Sequence, residues 1–187
     1  MDHLDIPGKY PAMNRIAGDF IVSSLGPRFA PTPHGHIQTD IAAACSLSGL
    51  MILQETVTDL SKHRPRVVIL SDVHPLQEEV LRFMMIVAVR NGLHPTSGWD
   101  NFVAINEPMY ACAEMTRKLA RAFYDICASL DRPYFKFAAA LAGMKLVLAG
   151  RSTGYLDPEV GKGLAGYYLG AGSKTAPYPE ALWTTMA

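Results

Sequence analysis

His34, Gly35 and His36, with Asp40 four residues further on, offer the first candidate chemistry in the chain. Pro31 and Pro33 hold Ala30 to His36 extended, because each proline biases its predecessor away from helical backbone. Two imidazoles one residue apart on an extended segment point to the same side. A carboxylate one helical turn after His36 then completes a three-ligand site with an open position. Such a site would hold a divalent metal that activates water, which makes His34, His36 and Asp40 the expected ligands of a metal-dependent hydrolase. The same residues also read as a Pro-Gly loop feeding a helix, with Asp40 in its first turn and both histidines on the surface.

Asp72 and His74 form a second candidate pair, at the end of Ile69-Leu70-Ser71-Asp72-Val73-His74. An apolar run ending in Asp-x-His resembles the first metal motif of the calcineurin-like metallophosphoesterases, whose strand delivers an aspartate and a histidine to a two-metal centre. The resemblance covers about six residues and implies metal-ligand roles for Asp72 and His74. The family's later motifs, Gly-Asp, Gly-Asn-His-Asp/Glu and Gly-His, do not follow it. The alternative is a helix N-terminus capped by Asp72 or His74. Lys145, the one charge between Phe137 and Gly150, is a candidate nucleophile or base if desolvated. Otherwise its stem lies along apolar surface and its amine reaches out to a polar partner. Arg117, Lys118 and Arg121 would make an anion patch or, with Glu114 and Asp125 among them, a solvated helix face.

Gly166 to Thr175 is similar to a phosphate-binding loop, but Ser173 interrupts the Gly-Lys-Ser/Thr that such a loop requires. Its glycines read instead as a packing face. Neither Glu-x-x-His in helical context nor Cys-x-x-Cys occurs, which argues against a di-iron bundle site and a thiol-redox site. Cys45, Cys112 and Cys127 lie among apolar or small residues and read as buried free thiols in a reducing compartment. Seventeen basic residues balance seventeen acidic ones, so no global field attracts nucleic acid or an anionic membrane. The longest uncharged apolar run, Ile41 to Leu53, falls short of the roughly 20 residues that span a bilayer. With no signal-peptide layout at the N-terminus, a cytoplasmic location is expected.

The elements that must position these groups follow from periodicity and punctuation. Helices are expected over Pro11 to Leu25, Ile37 to Leu60, Pro75 to Asn91, Pro108 to Leu130, the stretch after Pro133 to Gly150, and Pro158 to Gly172. Val67 to Leu70 is the only run that reads as a strand, or else as a connector. Small residues recur at helical spacing in three apolar runs: Ala42, Cys45, Ser46 and Gly49; Ala139, Ala142 and Gly143; and Gly163, Gly166 and Gly170. The expected architecture is an all-α, single-domain bundle of about six helices over residues 1–187, with small-residue core helices and at most one short strand. Residues 1–10 and 173–187 are expected to be irregular, the latter carrying Trp183 as an apolar anchor for a neighbouring subunit.

The leading functional expectation is a cytoplasmic binding protein that takes either an apolar small molecule between helices or a second copy of itself. Nine methionines, which line deformable pockets or fill gaps, suit the first option. The rival expectation is the hydrolase, with a divalent metal held by His34, His36 and Asp40 and assisted by Asp72 or His74.

Overall fold

A computed structural model of the chain describes residues 8–25, 37–95, 97–99 and 111–183. Six helices make up the bundle: α1 (Tyr10–Phe20), α2 (Ile37–Thr56), α3 (His74–Arg90), α4 (Cys112–Ile126), α5 (Phe135–Thr153) and α6 (Pro158–Gly172). A π-helical turn, Ile21–Leu25, prolongs α1. The all-α expectation holds. Among the described residues no strand forms, and Val67 to Leu70 contributes only an isolated antiparallel bridge between Val68 and Thr175. No described helix is long and apolar enough to cross a membrane.

Helix α2 is buried without interruption from Thr39 to Leu53, which its all-round apolar sequence requires. Helices α5 and α6 make its most extensive contacts, and the glycines explain how they come so close. A Cβ on Gly49 would overlap the Leu169 carbonyl oxygen and stand 2.5 Å from the Ser173 amide nitrogen. From the other side, a Cβ on Gly172 would run into the Ser46 carbonyl. At the α2–α5 contact Gly143 faces the Cys45 sulfur. The small-residue stripes of α2 and α5 therefore act as expected, whereas that of α6 is rotated. Gly170, assigned to the packing stripe, faces open space, and Gly161 and Gly172 take the close contacts, with Gly166 against Trp99.

Start signals read from sequence hold. Asp157 caps α6 by accepting from the Glu159 amide at 2.8 Å, with Pro158 at the first helical position. Pro75 occupies the first turn of α3, but Val73 is the cap residue and neither Asp72 nor His74 serves as one. Helix α2 stops at Thr56, before a separate 3-10 turn at Leu60–Lys62. Helix α3 buries one stripe, Val80, Phe83, Met84, Val87 and Ala88, rather than its whole circumference. The expected start near Pro108 lies outside the described residues, and the helix is seen from Cys112. Cys45 and Cys127 are buried and Cys112 is half-buried, all three as free thiols.

The C-terminal segment is more ordered than its prolines suggest, with a 3-10 turn at Pro179–Ala181. Trp183 docks within its own chain, its ring 4.8 Å from that of Tyr124 and 5.5 Å from that of Phe135.

The glycine geometry makes a differential prediction. Gly49→Ala is expected to destabilise by about 3 kcal/mol or more, because its methyl meets backbone that cannot move aside. Gly170→Ala should be neutral or stabilise by up to about 1 kcal/mol through helix propensity. Urea denaturation of the two variants checks both.

Candidate functional site

Asp40 is only 6 % exposed although it lies in the first turn of α2, and its Oδ1 has no hydrogen-bond partner among the described residues. A first-turn acid at the start of a helix would ordinarily face water, and here it does not. Desolvation pushes the carboxyl up to about 6 from its ordinary 3.8. Gln38 Oε1, two residues earlier, is also buried without a partner among the described residues. His34 and His36, the other expected ligands, lie outside the described residues. Among those described, no three His, Cys, Asp or Glu side chains gather at metal-binding spacing, so Asp40, Asp72 and His74 do not form a triad.

His74 and Asp72 are both solvent-exposed, and His74 Nδ1 lies 3.5 Å from Glu78 Oε1 one turn along α3. Lys145 is half-buried and donates to the Asn14 carbonyl of α1 at 3.1 Å, the outreach expected of a long amphipathic side chain. Arg117 pairs with Glu114 at 2.9 Å and Arg121 with Asp125 at 3.5 Å on the outer face of α4. Burial raises all three thiols, Cys45 and Cys127 to about 12 and Cys112 to about 11, so none is a thiolate at neutral pH.

The lysines that are buried are not the one singled out from sequence. Lys162 is fully enclosed, pairs with Glu159 at 2.8 Å and donates to the His94 carbonyl at 2.9 Å. It thereby ties the loop after α3 onto α6, where Trp99 covers Gly166. Lys136, 5 % exposed, pairs with Glu55 at 2.7 Å. Gly161-Lys162-Gly163 in an apolar helix was the available signal for Lys162: a charge flanked by two residues that permit close approach.

Two surface features gather unsatisfied groups. The first is the connection between α2 and α3. Pro65 and Arg66 turn the chain, with Arg66 at a φ of 71°, a left-handed conformation that costs a non-glycine residue about 1–2 kcal/mol. Beyond the turn the chain pairs with the C-terminal segment: Arg66 N–H to Ala176 O and Ala176 N–H to Val67 O, both 2.8 Å, and Ile69 N–H to Lys174 O, 2.7 Å. Because Val68 faces Thr175 as a non-hydrogen-bonded pair, its own N–H and C=O point the other way, and those of Leu70 follow by alternation. Val67, Val68 and Leu70 are 48 %, 64 % and 95 % exposed. A depression of about 370 Å³ beside them is lined by Ile69, Leu70, Ser71, Asp72 and Lys174.

The second feature lies where the end of α2 meets the C-terminal segment. Gln54 donates to the Tyr124 hydroxyl at 2.8 Å and accepts from the Trp183 amide at 3.0 Å, while Tyr124 donates to the Ala181 carbonyl at 2.8 Å. This network fixes one wall of a depression of about 180 Å³ that Arg132 borders. The Arg132 guanidinium carbon stands 5.9 Å from the centre of the Trp183 ring.

No protein-family model matches the chain, and comparison with curated proteins and with solved structures found no significant match.

Asp40 gives stability a pH dependence of definite sign. The folded carboxyl keeps its proton up to about pH 6 while the unfolded one releases it near 3.8, so the folded state binds more protons between those values. Stability therefore falls as pH rises through this window, and the penalty is complete above it. Asp40→Asn is expected to stabilise by about 2 kcal/mol above pH 7, and the gain should vanish by about pH 4. Denaturant midpoints at the two pH values provide the check.

Proposed function

We propose that this chain is a binding protein whose partner is a second copy of itself, docked edge to edge along Val67 to Leu70. The observation that carries the reading is the coincidence, on one short segment, of three exposed apolar side chains with outward backbone donors and acceptors at Val68 and Leu70 that have no partner among the described residues. Such an edge is a template for strand addition. A two-fold axis at Ile69 sets Val68 of one copy opposite Leu70 of the other, so that the two residues exchange backbone hydrogen bonds. The flanking charges are self-complementary in this register, because Arg66 then faces Asp72 of the other copy. Arg66 also feels the Glu114 carboxylate of its own chain, without a close ion pair, and Asp72 has no ion-pair partner among the described residues. The left-handed Arg66 fits the same picture, since strain at a non-glycine residue persists where its side chain has work elsewhere. A net charge of zero adds no repulsion between copies.

Sedimentation equilibrium is expected to show a dimer. Leu70→Lys, which puts a charge on the edge without touching the core, should weaken it at least about tenfold. Arg66→Asp and Asp72→Arg should each weaken association, and the double exchange should restore it. A monomer at high micromolar concentration, or a dimer indifferent to all of these changes, overturns the reading.

A second reading rests on Asp40. A buried carboxylate oxygen without a partner is what a metal ligand looks like before its metal is added, and His34 and His36 supply imidazoles close by in sequence. In this reading a divalent cation held by the three would activate water for hydrolysis. Stoichiometric zinc or manganese should then raise the melting temperature of the wild type and leave that of His36→Ala unchanged.

A further inference from the structure

We infer that the depression between the end of α2 and the C-terminal segment is a binding site for a small carboxylate carried on an apolar body. Val57, Leu60, Leu182 and the Trp183 indole form its apolar side, Gln54, Thr58, Asp59 and Ser61 its polar side, and Arg132 is the one cation among the lining residues. The guanidinium makes no hydrogen bond or ion pair among the described residues, although five N–H donors are available to it. Asp59, the only carboxylate lining the depression, is already committed. Its Oδ1 accepts from the Ser61 amide at 3.2 Å and the Ser61 hydroxyl at 2.5 Å, and its Oδ2 lies 3.0 Å from Lys62 Nζ. Gln54 is likewise committed at both ends of its amide. What remains for an occupant is therefore a fork of positive donors beside the Trp183 face, with Asp59 the one negative charge among the lining residues, held by Ser61 and Lys62.

That combination selects its ligand by chemistry. A planar carboxylate matches the guanidinium in a bidentate pair, and the tryptophan face covers a ring or branched chain attached to it. A volume of about 180 Å³ is close to that of the roughly 150 Å³ cavity that holds benzene, so the body is of the size of one six-membered ring. The wall is also preorganised, since the Gln54–Tyr124–Ala181 hydrogen bonds hold Trp183 in place before anything binds. The site lies apart from the Val67 to Leu70 edge and does not depend on self-association.

The test is a titration of the full chain with benzoate, following the indole N–H signals of its two tryptophans by NMR. Benzyl alcohol and inorganic phosphate serve as probes that lack the charge or the body. The Trp183 signal is expected to move with saturable dependence on benzoate, and at least about tenfold less readily with either of the others. Arg132→Met should weaken benzoate binding at least about tenfold while Arg132→Lys keeps part of it, and both should melt like the wild type because Arg132 is an exposed residue. Equal response to benzoate and benzyl alcohol, full binding by Arg132→Met, or movement confined to Trp99 would overturn the inference.

Discussion

The contact of Gly49 with Gly172 and Ser173 is the constraint from which the rest of the architecture follows. Two helix backbones come within reach of one another there because neither presents a side chain, so α2 can be covered along its whole length. The same contact fixes where α6 ends. Ser173, at the crossing, accepts a hydrogen bond from Gln77 of α3, which brings a third helix to the spot. Lys174 to Ala176 then emerge alongside the connection between α2 and α3 and pair with it. The exposed edge at Val67 to Leu70 is thus held in place by glycines more than ten positions removed from it in either direction.

Charge is handled differently in different parts of the bundle. Lys136 and Lys162 are enclosed, but each has a carboxylate within 3 Å, and Lys162 has a carbonyl as well. Removing one member of such a pair leaves the other stranded, which is the costly change at a buried ion pair. Asp40 has no such arrangement among the described residues, and its carboxyl responds by holding its proton. Arg132 has none either, but it lies in water, where an unpaired guanidinium costs little. The two groups differ in burial and in sign, and they mark two of the places among the described residues where polar capacity is unspent.

Local chemistry was legible in the sequence, and long-range geometry was not. Asp157-Pro158-Glu159 and Pro75 announced helix starts because capping and fixed φ act within a turn. The continuous apolar character of Ile41 to Leu53 announced a central helix because no face was left for water. By contrast, which glycine of α6 meets α2 depends on a crossing angle set by both helices, so a 3.6-residue stripe alone chose Gly170 where Gly172 makes the contact. Lys145 stands out in the sequence as an isolated charge, yet Lys136 and Lys162 are the enclosed ones, Lys162 because the loop after α3 folds over α6. Asp40 reads as a first-turn acid, and its burial depends on packing that the pattern of its own helix does not show. Trp183 reads as an apolar anchor, and nothing near it in sequence points to Tyr124 and Phe135, the rings it meets in its own chain.

The order in which the helices leave the ribosome gives the central helix a history of its own. Helix α2 is complete early, while α5 and α6, which cover most of it, occupy the last third of the described chain. Roughly 120 residues separate Gly49 from the partner it packs against. At synthesis rates of about 5–20 residues per second, the most apolar segment of the protein waits on the order of ten seconds for its lid. A nascent chain in that interval presents a naked hydrophobic rod, so production of this protein should depend on chaperone supply far more than the stability of its finished bundle would suggest.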